Sequence, residues 1–372
     1  MKRTMPDPGE GFDVVVVGGG PGGSAAAKRC AREGFKTLLL EKRRLPRDKV
    51  CTGMIMGPWA HDAIQREFGD IPQAVLVSPQ GLAGHMIHVP GAPPRVLEWR
   101  TPLTRRKDLD FWMNQRAMDE GVEILDGVRV TGVSQKGDEC FVAFRQEGKE
   151  PRVLRSRFVI GADGAASVVR KSLFPSLRVR YSAPVRHCYE GALDVDKEYI
   201  HWFFPKSGPR PRFDLVHKGD SFLLEGSGIR ELRNDLGRTL SRYGFEPGTG
   251  PLWKDGCVVP LLHEALFSGA FVPAAGNVLL IGDAAGLIFP VTFEGIGAAL
   301  KSGQAAADSI SRAETQGVQP AEIYLRGLAP LLAVLRRFHS LQRHLVREAC
   351  RGAEILSNAL ARAYESTLRP DL

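Results

Sequence analysis

The chain has 372 residues, 43% hydrophobic and 25% charged, with a formal net charge of +8 at pH 7. That is an ordinary globular composition with room for two domains. No apolar run approaches the ~20 residues of a membrane span, and the charged residues 1–6 have no apolar stretch behind them, so neither a span nor a secretory signal is expected.

The basic residues are spread along the chain without a nucleic-acid motif. An anionic cofactor, an anionic substrate headgroup or an acidic membrane surface therefore explains the charge better than nucleic acid does. Six cysteines without a CxxC pair argue against a metal site or a disulfide framework and fit a reducing, cytoplasmic setting.

Residues 13–17 are a short β-branched run, followed by glycines and an alanine-rich helix over 22–33. A second apolar strand, 36–40, ends at Glu41. This predicts a βαβ unit and a parallel sheet. Residues 45–58 read as loop, 78–99 as a small β excursion, and 107–120 as a helix returning to the first domain. Strands are expected near 123–125, 129–133, 140–144 and 157–160. Strand-like runs dominate 182–259, with one helix near 231–243. A buried strand at 278–281 leads to a helix over 294–312.

In the C-terminal part Leu325, Leu328, Leu332, Leu335, Phe338, Leu341 and Leu345 recur at helical spacing, with Arg336, Arg337, Arg343 and Arg347 interleaved. Such a helix either packs on its own protein or lies on a membrane surface. The expected fold is α/β: a Rossmann-like dinucleotide-binding domain, a second and mainly antiparallel β-sheet substrate domain, and C-terminal helices. The first domain is assembled from 1–77, 101–181 and 263–315. The excursion 78–100 and the sheet 182–262 form the second, and 316–372 is the helical end.

Three separated stretches carry the chemistry. Gly18, Gly20 and Gly23 fit G-x-G-x-x-G between a strand and a helix. Such glycines allow a tight turn, backbone approach to a pyrophosphate and close helix–strand packing. Pro21, Gly22 and Ser24 open the helix, whose free N–H groups face phosphate. Glu41, next to Lys42, ends the second strand where a carboxylate accepts from ribose hydroxyls, which favours FAD or NAD over NADP. The second stretch is Gly161-Ala162-Asp163-Gly164, with Arg170 behind it; the third is Gly282-Asp283, leading to Pro290.

In this order the three stretches resemble the FAD-dependent superfamily that includes p-hydroxybenzoate hydroxylase, flavin-dependent halogenases and geranylgeranyl reductases. The resemblance spans the chain from the first glycines to about Arg312. It implies that Asp163, Gly164 and Arg170 lie near the FAD pyrophosphate and the nicotinamide approach. It further implies that Asp283 faces the ribityl or pyrophosphate side, and that Arg106 begins a helix touching FAD.

Residues 290–303, with Pro290, Glu294, Gly295, Ile296 and Lys301-Ser302-Gly303, resemble the geranylgeranyl reductase branch. There the N–H groups of Gly295 and Ile296 would face the flavin N1/O2 edge. Tyr199-Ile200-His201-Trp202-Phe203-Phe204-Pro205 resembles that branch's aromatic substrate segment, which makes Tyr199, Trp202 and Phe204 pocket residues, together with Phe293.

Two departures stand out. Ile200 replaces the first aromatic of the segment, and Phe293 stands where the branch has glycine. Cys51, like Trp202 a candidate catalytic residue, is either a redox or proton-donating thiol or a packing residue.

The resemblance implies hydride transfer from reduced FAD to a carbon–carbon double bond of an isoprenoid or other apolar small molecule. NAD(P)H or a partner protein would donate the electrons, in the cytoplasm or at a membrane surface. The alternatives are an aromatic monooxygenase, a halogenase, and an electron-transfer subunit acting with a partner.

Overall fold

The computed structural model describes residues 10–206, 208–227, 229–246 and 248–369; the residues on which the signal reading rests, 1–6, lie outside them. The chain opens with β1 (Gly11–Val17), α1 (Pro21–Arg32) and β2 (Thr37–Glu41). Val14, Val15 and Val16 are fully buried, as expected for a parallel strand covered on both faces. Proline at the start of α1 costs nothing, since its missing N–H would have been unpaired there.

The chain continues through α2 (Pro58–Phe68), β3 (Leu76–His88), β4 (Arg95–Thr104), α3 (Arg106–Asp119), β5 (Glu123–Asp126), β6 (Val128–Lys136), β7 (Glu139–Gln146), β8 (Arg152–Gly161) and α4 (Val168–Leu173). Next come β9 (Arg180–Ser182), β10 (Pro184–Glu190), β11 (Tyr199–Phe203), β12 (Phe213–Lys218), β13 (Ser221–Ser227), α5 (Ile229–Leu240), β14 (Trp253–Gly256) and β15 (Val259–Leu261). It ends with α6 (His263–Ser268), β16 (Ala274–Ala275), β17 (Val278–Leu280), α7 (Ile296–Gln316), α8 (Pro320–Glu348) and α9 (Ala353–Leu368).

The first sheet has the order β16-β17-β8-β1-β2-β5, with β6 and β7 attached through β8. Strands β17, β8, β1, β2 and β5 are parallel. The carboxyl ends of β1, β8 and β17 therefore lie side by side, and each runs into one of the three motif stretches. Ligands bind at that edge of such a sheet.

Helix α7 crosses α1 closely. A Cβ at Gly22 would lie 2.6 Å from the Ala299 carbonyl oxygen, and one at Gly303 would overlap the Gly22 carbonyl. The K-S-G glycine therefore sets a close helix crossing, which places the start of α7 beside the first motif.

The second sheet has the order β14-β10-β13-β12-β11-β3-β4, antiparallel except for the β11–β3 pair. The excursion was expected over 78–100; its strands run longer, from Leu76 to Thr104. Helix α5 covers one face, where Tyr189, Phe203, Phe213, Leu215, Phe222, Leu224, Leu236 and Leu240 form their own core. Strand alternation puts Ile200 and Trp202 on the opposite face, toward the first domain. Tyr199, an odd number of positions from Trp202, falls on the α5 side, so its expected place in the substrate pocket is corrected.

Helix α8 buries Leu328, Leu335, Phe338 and Leu345, with Leu325, Leu332 and Leu341 partly covered. Its neighbours are α6, α7 and α9. The apolar stripe is thus covered by the protein itself. Among the described residues no helix is long and apolar enough to cross a membrane. Helix α9 turns back onto β3 and β4 and brings the Tyr364 ring 5.2 Å from that of Trp202.

Candidate active site

A cavity of about 640 Å³ lies between the two sheets and is lined by all three motif stretches on one side and by Trp202 on the other. Its floor follows from the glycines. Gly18 has φ +111°, and a Cβ there would collide with the Ala162 carbonyl; one at Gly23 would overlap the Gly18 carbonyl. Only bare backbone lets β1, α1 and the second motif meet at this point.

Glu41 is 3% exposed at the end of β2. Its Oε2 accepts from the Gly19 N–H at 2.9 Å and its Oε1 from the Arg43 N–H at 3.0 Å. Arg47 Nε lies 3.1 Å from Glu41 Oε2, and Arg47 also binds Asp110 at 3.0 Å. Asp110 in turn holds both Nε and NH2 of Arg106, at 2.8 and 3.0 Å. Arg106, buried, and Arg47, half-buried, thus share one carboxylate at the cavity wall and keep donor capacity for an anionic group. Lys42 lines the same end, and burial lowers its pKa.

Asn114 ties α3 to the first motif, donating to the Gly19 carbonyl at 3.0 Å and to the Ser24 hydroxyl at 2.8 Å. Ser24 is therefore engaged between helices and does not line the cavity. This corrects its expected cofactor role.

In the second motif, Asp163 Oδ2 accepts from the N–H groups of Val168 and Val169 at 2.6 and 3.1 Å, capping α4. Its Oδ1 is buried without a partner. Arg170 is 1% exposed and donates to the carbonyls of Ala284 and Ala165 at 2.7 and 2.6 Å. It staples the second motif to the third and is not free to meet a nicotinamide.

In the third stretch, Gly282 to Ala285 form one 3₁₀ turn, and Asp283 lies 3.9 Å from Lys49 Nζ. Pro290 is buried beside the cavity, not in its lining, and its carbonyl accepts from Gln342 at 2.5 Å. The expected cofactor contact at Pro290 is therefore also corrected. Phe293 has φ +54°, and among the described residues no other non-glycine residue has positive φ. That conformation costs an L-residue about 1–2 kcal/mol and explains why glycine suits the position. Replacing Phe293 by glycine should give a protein about 1 kcal/mol more stable than replacing it by alanine, the reverse of the usual order. Urea unfolding of both variants checks this.

Glu294 is buried just ahead of α7. Its Oε1 accepts from the Gly297 N–H at 2.7 Å, and its Oε2 has no partner. The neighbouring Ile296 N–H also favours the ionised form of this carboxyl. Gly295 and Ile296 line the cavity as expected, but Glu294 competes for the helix N–H groups there.

On the far wall, Trp202 donates its indole N–H to His85 Nδ1 at 3.2 Å, with the two rings stacked. Burial lowers the His85 pKa to about 4, so this imidazole is the neutral acceptor the indole needs. Phe204 is buried against Tyr364, with ring centroids 6.0 Å apart, and does not reach the lining, which corrects its assignment to the pocket.

Cys51 lines the cavity, and its sulfur accepts from the Gly53 N–H at 3.3 Å. Gly18, Gly20, Pro21, Gly22, Gly23, Glu41, Lys42, Arg106, Asp163, Gly164, Asp283, Gly295, Ile296, Trp202 and Phe293 all face this one space. Sequence reasoning missed Arg47, Asp110, Asp214, Glu225 and Tyr364, which come from a loop, a helix interior, two strands and the last helix.

The residues fit FAD. The glycine floor is shaped for a pyrophosphate, Glu41 stands at the ribose end, and Asp163 Oδ1, Thr292 Oγ1 and Glu294 Oε2 are buried polar atoms without partners along the cavity.

Residues 13–176 match the model of the FAD dependent oxidoreductase family. The chain is 29% identical over 340 residues to digeranylgeranylglycerophospholipid reductase 2 of Methanopyrus kandleri, covering 82% of this chain and 79% of that one. It is 25% identical over 320 residues to protein CbrA of Escherichia coli K12, covering 79% and 82%.

A geranylgeranyl bacteriochlorophyll reductase-like protein of Thermoplasma acidophilum has the same fold, with a TM-score of 0.73 at 21% identity over 97% of each chain. So does Pseudomonas aeruginosa PqsL, solved with 2-aminobenzoylacetate, with a TM-score of 0.71 at 20% identity over 96% and 100%.

Proposed function

We propose that this chain, an FAD-dependent oxidoreductase with the sequence and fold likeness of the geranylgeranyl reductases, saturates a carbon–carbon double bond of an isoprenoid or similarly apolar molecule. The observation that carries this is one continuous cavity, which joins the three-motif cradle to a sheet face headed by Trp202. Met54, Met56, Ile288, Val291 and Val258 supply apolar lining between them. Such a lining suits a hydrocarbon chain held against a planar cofactor.

When bound, FAD supplies the hydride equivalent. The chain's own residues orient and exclude water. Trp202, fixed by His85 and by the Tyr364 ring, offers a rigid wall for the substrate. Arg47 and Arg106, anchored on Asp110, serve the anionic end of the cofactor. Arg210 lines the cavity and would meet an anionic headgroup there.

The test is anaerobic photoreduction of the holoprotein followed by mixing with a digeranylgeranylglycerophospholipid, with NADH and NADPH tried separately as reductants. Flavin reoxidation without O₂, with a product heavier by two hydrogens per reduced bond, supports the reading. Turnover only with O₂, giving a product heavier by one oxygen, replaces it with a monooxygenase.

A further inference from the structure

We infer that Asp214, paired with Glu225 directly opposite it, is the proton donor to the substrate carbon; the inference rests on the reduction proposed above. The register of the second sheet lines up one row of residues across five strands. Asp255 on β14 faces Arg186 on β10, Arg186 faces Glu225 on β13, Glu225 faces Asp214 on β12, and Asp214 faces Trp202 on β11. Directly opposed residues in a sheet share a face, so the row ends on the cavity wall beside the indole. Trp202, Asp214 and Glu225 all line the cavity.

The row is not electrically even. Arg186 is committed to Asp255, with Nε donating to Oδ1 at 2.9 Å and Nη2 to Oδ2, while its Nη1 donates to the Cys51 carbonyl. That leaves two carboxyls side by side with one shared cation at one end. Asp214 is 7% exposed. Asp214 Oδ1 and Glu225 Oε2 are both buried without a hydrogen-bond partner, as is the Tyr364 hydroxyl that lines the same end of the cavity.

Two adjacent carboxylates cannot both ionise cheaply in such a place. Burial, then Glu225 and Cys51, push Asp214 well above the carboxylate range, with Arg186 opposing. Burial also raises Glu225, and Asp255 adds to this, but Arg186 opposite it and Lys218 on β12 pull back. Lys218 itself is spent on the carbonyls of Thr52 and Thr104. Glu225, nearer the cation, is the carboxylate, and Asp214 keeps the proton.

A hydrocarbon substrate gives Asp214 Oδ1 and Glu225 Oε2 nothing to bond, so these buried atoms cost stability, a cost that a proton-donating role accounts for. In the step, the Asp214 O–H bond breaks and its electron pair stays on the carboxylate. The proton forms a C–H bond at one alkene carbon, while the hydride equivalent of reduced FAD completes the other. FAD ends oxidised, and water returns the proton to Asp214.

The experiment uses FAD-loaded wild type, Asp214→Asn and Glu225→Gln. The infrared difference spectrum of wild type minus Asp214→Asn at pH 7 should show a neutral carboxylic acid band that shifts in D₂O; the partly neutral Glu294 is common to both proteins and cancels. Flavin content and photoreduction serve as the folding control. After photoreduction, mixing with the digeranylgeranylglycerophospholipid should reoxidise Asp214→Asn roughly a hundredfold or more slowly than wild type.

Absence of that difference band overturns the inference, as does wild-type reoxidation by Asp214→Asn. A wild type that never reoxidises with the alkene but keeps the band removes the proposed function, and with it the donor role, while the shared proton stands.

Discussion

Replacing Arg170 by methionine is expected to cost about 3–5 kcal/mol of stability and to lower flavin retention with it. The guanidinium is almost wholly buried, and its bonds are to backbone carbonyls on two different motif stretches. Methionine fills similar space but has no donor, so the carbonyls of Ala165 and Ala284 are left buried and unpaired. Each such group costs about 1–3 kcal/mol.

The damage is not confined to α4. Ala284 belongs to the 3₁₀ turn that carries Asp283, so loosening it moves the third motif away from the second. Lysine at the same position keeps one donor group and should recover part of the loss. Thermal unfolding of the apoprotein, with flavin content measured in parallel, reads both effects. Equal melting of wild type and Arg170→Met would mean that the two stretches are held together by packing alone.

The first domain was legible because its signals are local. Strand, glycine turn, helix and acidic strand end occur within about thirty residues, and each glycine has a backbone reason to be there. The third motif and α7 were legible for the same reason, and the phenylalanine-for-glycine departure at Phe293 became meaningful once its φ was known.

The far wall was not legible. Trp202 was found through its aromatic neighbours, yet the residues that share its row come from strands 12 to 53 positions away in sequence. Asp214 and Glu225 look like solvated charges in a strand until register puts them opposite each other. Tyr199 and Phe204 show the converse. An aromatic-rich strand names a pocket, but only alternation and the packing of α9 decide which rings face it.

The two walls pose different electrostatic demands. The cradle side offers arginines and helix N–H groups to an anionic cofactor. The sheet side offers an acid pair in apolar surroundings. A chain that served only to bind flavin would have no use for the second, and the row from Asp255 to Trp202 is therefore where this protein's own chemistry is to be sought.

Replacing Glu294 by glutamine should flatten the pH dependence of stability. Burial raises this carboxyl to about 7, against the N–H groups of Gly297 and Ile296, which favour its ionised form. The unfolded chain releases the same proton near the ordinary 4.5. Between those values the folded state holds more protons, so wild-type stability falls as pH climbs from about 4.5 to 7 and levels off above. The whole drop attributable to this group is about 3 kcal/mol.

Glutamine keeps an oxygen for the Gly297 N–H and has no proton to lose. The acid pair at Asp214 and Glu225 adds its own slope to both proteins and cancels in their difference. Urea unfolding from pH 4.5 to 8.5 should show Glu294→Gln gaining on wild type by about 3 kcal/mol across that window. Parallel curves would mean that water reaches Glu294 freely. Above pH 7 the ionised carboxyl clamps the very N–H groups that open α7 toward the cavity, so the same titration sets how many of them a bound anion can claim.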